Sequence, residues 1–290
     1  MTTTIEHYKS RPLNLRVERI PSPNYELFNF TAGLPTVDLR SKLPPMWDQG
    51  NLGSCTAFAL CAAFQYCDAT FAGSKLFQYY NCRMLDASQG DNSVAIDDGT
   101  TLRQGVNSLI KYGLCKETSW PYNISQFAVK PPSTCYTEAL QHQVLQATNV
   151  TQTEAQMKAC LQSGFPFVIG FLVYESFFDV TDGNIPMPNP MTEGLLGGHA
   201  IVVCGYDDNT SRWLCRNSWG TGWGQSGYFT MPYAYFTSRG LASDAWKITV
   251  VETATTPPPA PTPTPTPKPP RRWIPRRRLG RSHPDFNRGT

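Results

Sequence analysis

The chain has 290 residues, of which 40% are hydrophobic, and a net charge of +3. This length and apolar content allow a large core and indicate a soluble globular protein. The longest apolar run, Phe165 to Tyr174, is far too short to cross a bilayer, and residues 1–9 lack the apolar run of a secretory signal. We therefore expect no membrane contact, and either a cytoplasmic location or packaging in a particle such as a virion.

The positive charge is concentrated at the C-terminus. From Lys268 onward there are eight basic residues and one acid, which leaves residues 1–267 with a net charge of −4. Pro and Thr dominate Pro257 to Pro270, a composition that favours polyproline II and does not build a core. The basic tail is either a solvated charged end or a contact for a polyanion or nucleoprotein, since phosphate binding depends on clustered arginines. The arginines that would make this contact are Arg271, Arg272, Arg276, Arg277 and Arg278.

The first 35 residues hold four prolines and scattered apolar positions. This composition predicts an extended arm laid over a surface or a short pro-segment that covers a cleft, and the sequence does not separate the two. Val37 to Pro45 follows as an extended lead-in, because its two closing prolines disfavour helix.

Two kinds of periodicity divide the rest of the chain. Helical patterns come first, and the Leu102 helix is expected to end at Gly113. The predicted helices are Thr56 to about Ala69, Leu76 to Asp86, Leu102 to Tyr112, Tyr136 to Gln141 and Glu154 to Gln162. Extended, β-branched and aromatic segments follow, which predicts a mostly antiparallel sheet or barrel. The predicted strands are Phe165 to Val173, Ala200 to Tyr206, Trp213 to Arg216, Gly227 to Met231 and Trp246 to Val251.

Nine cysteines cannot all pair within one chain. Cys204 and Cys215 lie on two predicted strands that are joined by a turn over 207–212, and their spacing predicts that they face one another. Reduced thiols are favoured because no secretory signal is recognised and disulfides are scarce in reducing compartments. The disulfide state of this pair stays open.

Cys55 lies at the start of the most apolar predicted helix. Gly50 and Gly53 allow sharp turns before it, and Ser54 is the predicted N-cap. The unpaired N–H groups and dipole of a first helical turn favour an anion, which predicts a lowered thiol pKa and a reactive thiolate. Taken alone, Cys55 fits a buried small hydrophobe better than a nucleophile, because burial is the commonest fate of a free cysteine.

A nucleophilic cysteine needs a base and a group that orients the base. Of four histidines, His199 has the most constrained context, because two glycines precede it and an apolar run follows. Asn217 can accept a hydrogen bond from its imidazole, and Trp219 can shield that bond from water. Gln49 can donate to a developing oxyanion together with the Cys55 N–H.

Three blocks of sequence, Gln49 to Cys55, Gly198 to Ala200 and Asn217 to Gly220, resemble the active-site blocks of papain-like (cathepsin-like) cysteine peptidases. Cys55 precedes His199 by 144 positions and Asn217 by 162. The first spacing lies within the range of about 130–150 that is typical of this family, and the second slightly exceeds it. The resemblance spans residues 37–251. It implies an α+β fold with an N-terminal helical lobe, a C-terminal antiparallel β-barrel lobe and an active-site cleft between them, with no metal or organic cofactor.

The resemblance also implies a role for each matching residue. These are Cys55 as nucleophile, His199 as acid and base, Asn217 as its orienting group, Gln49 as oxyanion donor, and Gly99, Gly198 and Trp219 as substrate-binding residues. The implied reaction hydrolyses peptide bonds through a thioester acyl-enzyme. Leu52 and Thr56 stand where better-known members have a disulfide cysteine and a tryptophan, which agrees with a reducing location.

We therefore expect an arm or pro-segment over residues 1–35, a peptidase domain over 36–252, and a disordered linker with a basic tail over 253–290. The alternative is a papain-fold scaffold protein whose tail docks it to nucleic acid or to a particle.

Overall fold

The computed structural model describes residues 7–16, 25–29, 33–88, 90, 94–180, 182–238 and 240–251. The predicted linker and basic tail lie outside these residues. Among the helices that are described, not one combines the length and apolar character needed to cross a bilayer.

The helices match the periodicity of the sequence closely. They are α1 (Cys55–Cys67), α2 (Lys75–Ser88), α3 (Leu102–Lys111), α4 (Ser133–Ala139), α5 (Glu154–Gln162) and α6 (Tyr233–Thr237). The five predicted helices are confirmed, and α3 is followed by Gly113 with a φ of 71°. Helix α1 is buried on nearly every side, as its apolar sequence predicts. The five-residue α6 was not predicted.

Eight strands form one twisted sheet. They are β1 (Tyr25–Glu26), β2 (Thr36–Asp38), β3 (Val144–Val150), β4 (Phe167–Tyr174), β5 (Leu195–Asp207), β6 (Arg212–Arg216), β7 (Tyr228–Pro232) and β8 (Ala242–Val251). The order is β1-β3-β8-β4-β5-β6-β7, with β2 paired to β5. Apart from the parallel β1–β3 pair, the pairings are antiparallel.

The expected barrel needs correction. Within the described residues no pairing joins β1 to β7, so the sheet stays open. Strand β3 was also missed by the sequence pattern. It is largely exposed along its middle and pairs with β8 through two register shifts, so its residues lack the strict alternation that marks a half-buried strand.

All nine cysteines lie within the described residues and are free thiols. Cys204 and Cys215 are not directly opposite each other, because Cys215 pairs with Val203 and an irregularity follows before Gly205. Equal spacing from the turn does not place these cysteines opposite each other, because a bulge adds a residue to one strand only.

Two apolar clusters meet at β4 and β5. Helices α1 and α3 pack with Val168, Ala200 and Trp246 in one cluster, which contains Cys55. The other is rich in aromatic residues from β4 to α6 and contains Trp219. The cluster built by the helices, called the helical cluster below, thus contains Cys55, and the aromatic cluster contains Trp219.

The N-terminal region is anchored to this body at two separate places. Residues 7–16 contact Gly99, Gly198 and Trp219, as described below. Further on, Phe28 is buried and exchanges two hydrogen bonds with the Gln156 side chain, while Lys247 Nζ lies 4.3 Å from the centre of its ring. The chain then enters β2, which pairs with β5. Residues 7–16 and the segment around Phe28 are therefore each held by packed structure.

Candidate active site

Cys55 is the first residue of α1, as expected, but Ser54 does not cap the helix. In the described part of the chain the Ser54 hydroxyl makes no capping hydrogen bond and lies instead 2.7 Å from the hydroxyl of Tyr122. The preceding Gly53 N–H donates to the Asp97 carboxylate at 3.0 Å. Side chains from outside the helix therefore position the residues that precede the cysteine.

The Cys55 side chain is completely buried. Burial raises the pKa of its thiol to about 11, and hydrogen bonds from the backbone amides of Ala200 and Thr56 oppose this only in part. The predicted lowering of the thiol pKa is therefore wrong for this arrangement, because removal from water outweighs the helix terminus. The contact with Ala200 places the thiol beside the strand that carries His199.

His199 lies on β5, opposite Phe171 of β4, and is completely buried. Its Nε2 is 2.8 Å from Asn217 Oδ1, and the Ser218 N–H donates to the same oxygen. Because that oxygen accepts, Nε2 must carry the proton of the neutral ring. The other nitrogen, Nδ1, has no hydrogen-bond partner among the described residues. Burial lowers the pKa of His199 to about 4, against the opposing effect of the Asn217 hydrogen bond.

Trp219 covers the imidazole. The ring centres of His199 and Trp219 are 4.9 Å apart, and Phe178 stacks on the indole with a centre separation of 5.6 Å. Only 1% of Trp219 is exposed. The indole thus shields the hydrogen bond between His199 and Asn217 from water, as its position in the sequence predicts.

Gln49 is fully buried and connects the two sides of the site. Its Oε1 accepts from the Ser218 hydroxyl at 2.6 Å, and its backbone N–H donates to the Ser218 carbonyl at 2.8 Å. Its Nε2 donates one hydrogen to the Leu52 carbonyl at 2.9 Å. Since an amide nitrogen carries two hydrogens, a second one remains for another acceptor.

Gly99 and Gly198 both contact a peptide backbone, and that backbone belongs to the N-terminal arm. Gly198 exchanges hydrogen bonds of 3.0 Å with Leu13 and Leu15. Gly99 has a φ of 67°, and a Cβ there would stand 1.6 Å from the Asn14 carbonyl oxygen. Only glycine admits the arm at these two positions.

Side chains of the arm complete its contact with the site. Tyr8 stacks on Trp219 with ring centres 6.2 Å apart, and Arg11 donates to both carboxylate oxygens of Asp48 at 2.7 and 3.0 Å. Leu15 is buried in the helical cluster. The sequence pattern singled out none of Tyr8, Arg11, Asp97 or Tyr122, because isolated residues in loops and arms carry no periodic signal.

The sequence-predicted residues thus fall into two groups. The structure brings His199, Asn217 and Trp219 into direct contact and links Gln49 to them through Ser218. Cys55 joins this group through the backbone amide of Ala200, the residue after His199. Gly99 and Gly198 form the second group, and both contact the arm. Over the described ranges, no three His, Cys, Asp or Glu side chains come together as a set that could hold a metal ion.

Comparisons with known proteins agree with this geometry. A family model described as papain family cysteine protease matches residues 34–248. A peptidase C1-like protein of Acanthamoeba polyphaga mimivirus is 40% identical over 227 residues, which cover 72% of this chain and 70% of the viral protein. Cysteine proteinase 1 of Entamoeba histolytica is 28% identical over 73% of this chain and 67% of its own length.

Solved structures point the same way. The crystal structure of xylellain, a cysteine protease from Xylella fastidiosa, matches with a TM-score of 0.74 at 34% identity, covering 82% of this chain and 96% of xylellain. Procathepsin B S9 of Trypanosoma congolense shares the fold at 18% identity, with a TM-score of 0.64 and coverage of 82% and 87%. The chain belongs to the papain family of cysteine proteases. It is a cysteine endopeptidase, and its substrates are proteins.

Proposed function

We propose that this protein cleaves peptide bonds with Cys55 as nucleophile, His199 as acid and base, and Asn217 as the group that orients His199. One observation carries the proposal. The Asn217 contact uses Nε2 of the imidazole and leaves the buried Nδ1 for a proton from the thiol, which lies against the neighbouring Ala200. In this tautomer the ring can accept the thiol proton without first losing one of its own.

The reaction proceeds in two halves. Cys55 transfers its proton to His199 Nδ1, and the thiolate attacks the carbonyl carbon of the peptide. The second hydrogen of Gln49 Nε2 and the Cys55 N–H donate to the resulting oxyanion. His199 then protonates the leaving amine, which gives a thioester. In the second half His199 takes a proton from water, the hydroxide attacks the thioester, and the thiol is restored with release of the acid.

The test replaces Cys55 and compares it with a matched thiol. Cys61 lies on the same helix and is equally buried. We expect Cys55→Ala to abolish hydrolysis of a peptide library and Cys61→Ala to retain it. Unchanged hydrolysis by Cys55→Ala would refute the assignment. The scaffold alternative has no support in the comparisons, whose matches include several proteins named as proteases.

The N-terminal arm acts as an inhibitory pro-segment of this site. What supports this role is that its backbone occupies Gly99 and Gly198, the two glycines expected to bind substrate backbone. Substrate and arm therefore exclude each other. Because Phe28 and β2 anchor the chain that follows, the arm can leave the cleft and remain attached to the domain.

For the basic tail, binding of a polyanion remains a proposal that rests on the sequence. Its five clustered arginines favour phosphate groups. Binding of the full chain to single-stranded nucleic acid should weaken as salt rises, and a salt-independent affinity would argue against it. The match to a mimivirus protein supports packaging in a particle, and a cytoplasmic location is the alternative.

A further inference from the structure

The short loop from Gln49 to Ser54 is tied at both ends by one side chain. The Tyr122 hydroxyl lies 2.7 Å from the carbonyl oxygen of Gln49 and 2.7 Å from the Ser54 hydroxyl. Ser54 directly precedes Cys55. A residue from a distant part of the chain therefore bridges the two segments from which the oxyanion donors extend.

The chemistry of these groups assigns a direction to both hydrogen bonds. A carbonyl oxygen only accepts, so the single phenolic hydrogen of Tyr122 goes to Gln49. The Tyr122 oxygen is then the acceptor for the Ser54 hydroxyl. This assignment explains why Ser54 makes no capping hydrogen bond, since its hydroxyl is engaged at Tyr122.

Tyr122 is itself held in place by the helical part of the protein. Its backbone N–H donates to Glu117 at 2.7 Å, and Glu117 also accepts from Lys75 Nζ at the start of α2. The Phe58 ring of α1 meets the phenol edge to face, with centres 4.9 Å apart. These contacts fix the position of the phenol ring of Tyr122.

We propose that Tyr122 is a positioning residue for the oxyanion site, holding the Gln49 side chain and the Cys55 N–H at the separation that the tetrahedral intermediate needs. This inference rests on the proposed function of Gln49 and Cys55. Ser218 controls which way the Gln49 amide faces, whereas Tyr122 controls how far its backbone lies from Cys55. Neither contact reaches the substrate directly.

The test is Tyr122→Phe, which removes one hydroxyl and keeps the ring against Phe58. The matched control is Tyr136→Phe, which loses a hydroxyl contact to Asn81 elsewhere in the helical lobe. Three readouts are compared: kcat and KM for a peptide substrate, affinity for a peptide aldehyde, and the rate of Cys55 alkylation by iodoacetamide. The Cys55 thiol adds to the carbonyl carbon of the aldehyde, which places the former carbonyl oxygen in the oxyanion site. The thiolate displaces iodide from a saturated carbon of iodoacetamide, and no oxyanion develops in that step.

Complete loss of an oxyanion donor lowers kcat by about 100- to 1000-fold, so misplacement of a retained donor should cost about tenfold. We expect Tyr122→Phe to lower kcat and aldehyde affinity by about tenfold, with KM and the alkylation rate nearly unchanged. The arm covers the site equally in wild type and in Tyr122→Phe, so its effect cancels when each readout of the variant is divided by that of the wild type. Tyr136→Phe should alter none of the readouts.

Two results would overturn the inference. Unchanged kcat and aldehyde affinity would show that the hydroxyl positions nothing. An equal loss of alkylation rate would place the effect on the thiol or on the fold rather than on the oxyanion site. Failure of the proposed function looks different, because the wild type would then neither hydrolyse peptides nor bind the aldehyde, whereas failure of this inference leaves both properties intact in Tyr122→Phe.

Discussion

Two segments lie at the candidate active site and are held there in different ways. The nucleophile loop, residues 49–54, accepts hydrogen bonds from the Tyr122 and Ser218 hydroxyls and donates one from Gly53 to the Asp97 carboxylate. The arm, residues 7–16, makes backbone hydrogen bonds at Gly198 and Thr100 and an ion pair to a half-exposed Asp48, and its Tyr8 ring stacks on Trp219. Side-chain contacts select particular residues, whereas backbone contacts can be offered by any extended peptide. The loop is therefore held by contacts particular to this chain, whereas the backbone contacts of the arm are of a kind that any extended peptide can make.

Burial also changes the chemistry of Cys55 and His199. It raises the pKa of Cys55 to about 11 and lowers that of His199 to about 4, so both groups are neutral near pH 7. Leu15 of the arm packs in the same apolar cluster as Cys55. We therefore expect departure of the arm to reduce this burial and to move both pKa values towards their ordinary range, which favours the thiolate and imidazolium pair.

The largest effect should come from breaking the fixed part of the site at Asn217. Asn217→Ala removes the acceptor that holds Nε2 of His199, so the imidazole loses its orientation and tautomer. We expect kcat for a peptide substrate to fall by roughly 100-fold. The control is Asn149→Ala, which removes a buried amide that donates to Ala245, away from the cleft. Equal losses in the two variants would mean that the effect is one of folding.

A methyl group at Gly99 should disturb arm and substrate together. The added Cβ would overlap the Asn14 carbonyl oxygen, so Gly99→Ala should displace the arm and speed alkylation of Cys55. The backbone of a substrate needs the same space, so the rate of peptide hydrolysis should nevertheless fall by about tenfold. A loss of this order is expected when a substrate is bound slightly out of position.

Gly164→Ala is the matched control for Gly99→Ala, because Gly164 has a φ of 86° and no atom within 4 Å of the added Cβ. It carries similar backbone strain without the overlap. If Gly99→Ala increased both alkylation and hydrolysis, Gly99 would contact the arm but not the substrate.

The smallest effect should come from weakening the arm alone. Arg11→Ala removes the ion pair to Asp48, and a pair with a partner this exposed is worth about 1 kcal/mol. The fraction of open cleft should then rise by about fivefold, measured as faster alkylation of Cys55 and faster hydrolysis at pH 7. Arg40→Ala is the control, because it breaks an exposed ion pair with Asp38. Equal alkylation rates for Arg11→Ala and wild type would argue against an inhibitory arm.

The loop and the arm also differ in how far they could be predicted. Residues 49–55 were readable because glycines, a glutamine and a cysteine precede a uniformly apolar helix, and these are local signals. Residues 1–35 gave only prolines and scattered apolar positions, so an arm and a pro-segment were equally consistent. Strand β3 was missed for a related reason, since its pairing with β8 is irregular and its exposed residues do not alternate.

The sequence by itself determined the helices, most strands, and the blocks around Cys55, His199 and Asn217, because short-range patterns and fixed spacings encode them. Only the tertiary structure decided that the sheet stays open, that the arm lies on Gly99 and Gly198, and that Tyr122 bridges Gln49 and Ser54. It also decided the direction of the Cys55 pKa shift. Desolvation and hydrogen bonding between distant residues depend on which groups the fold brings together, and no local periodicity records that.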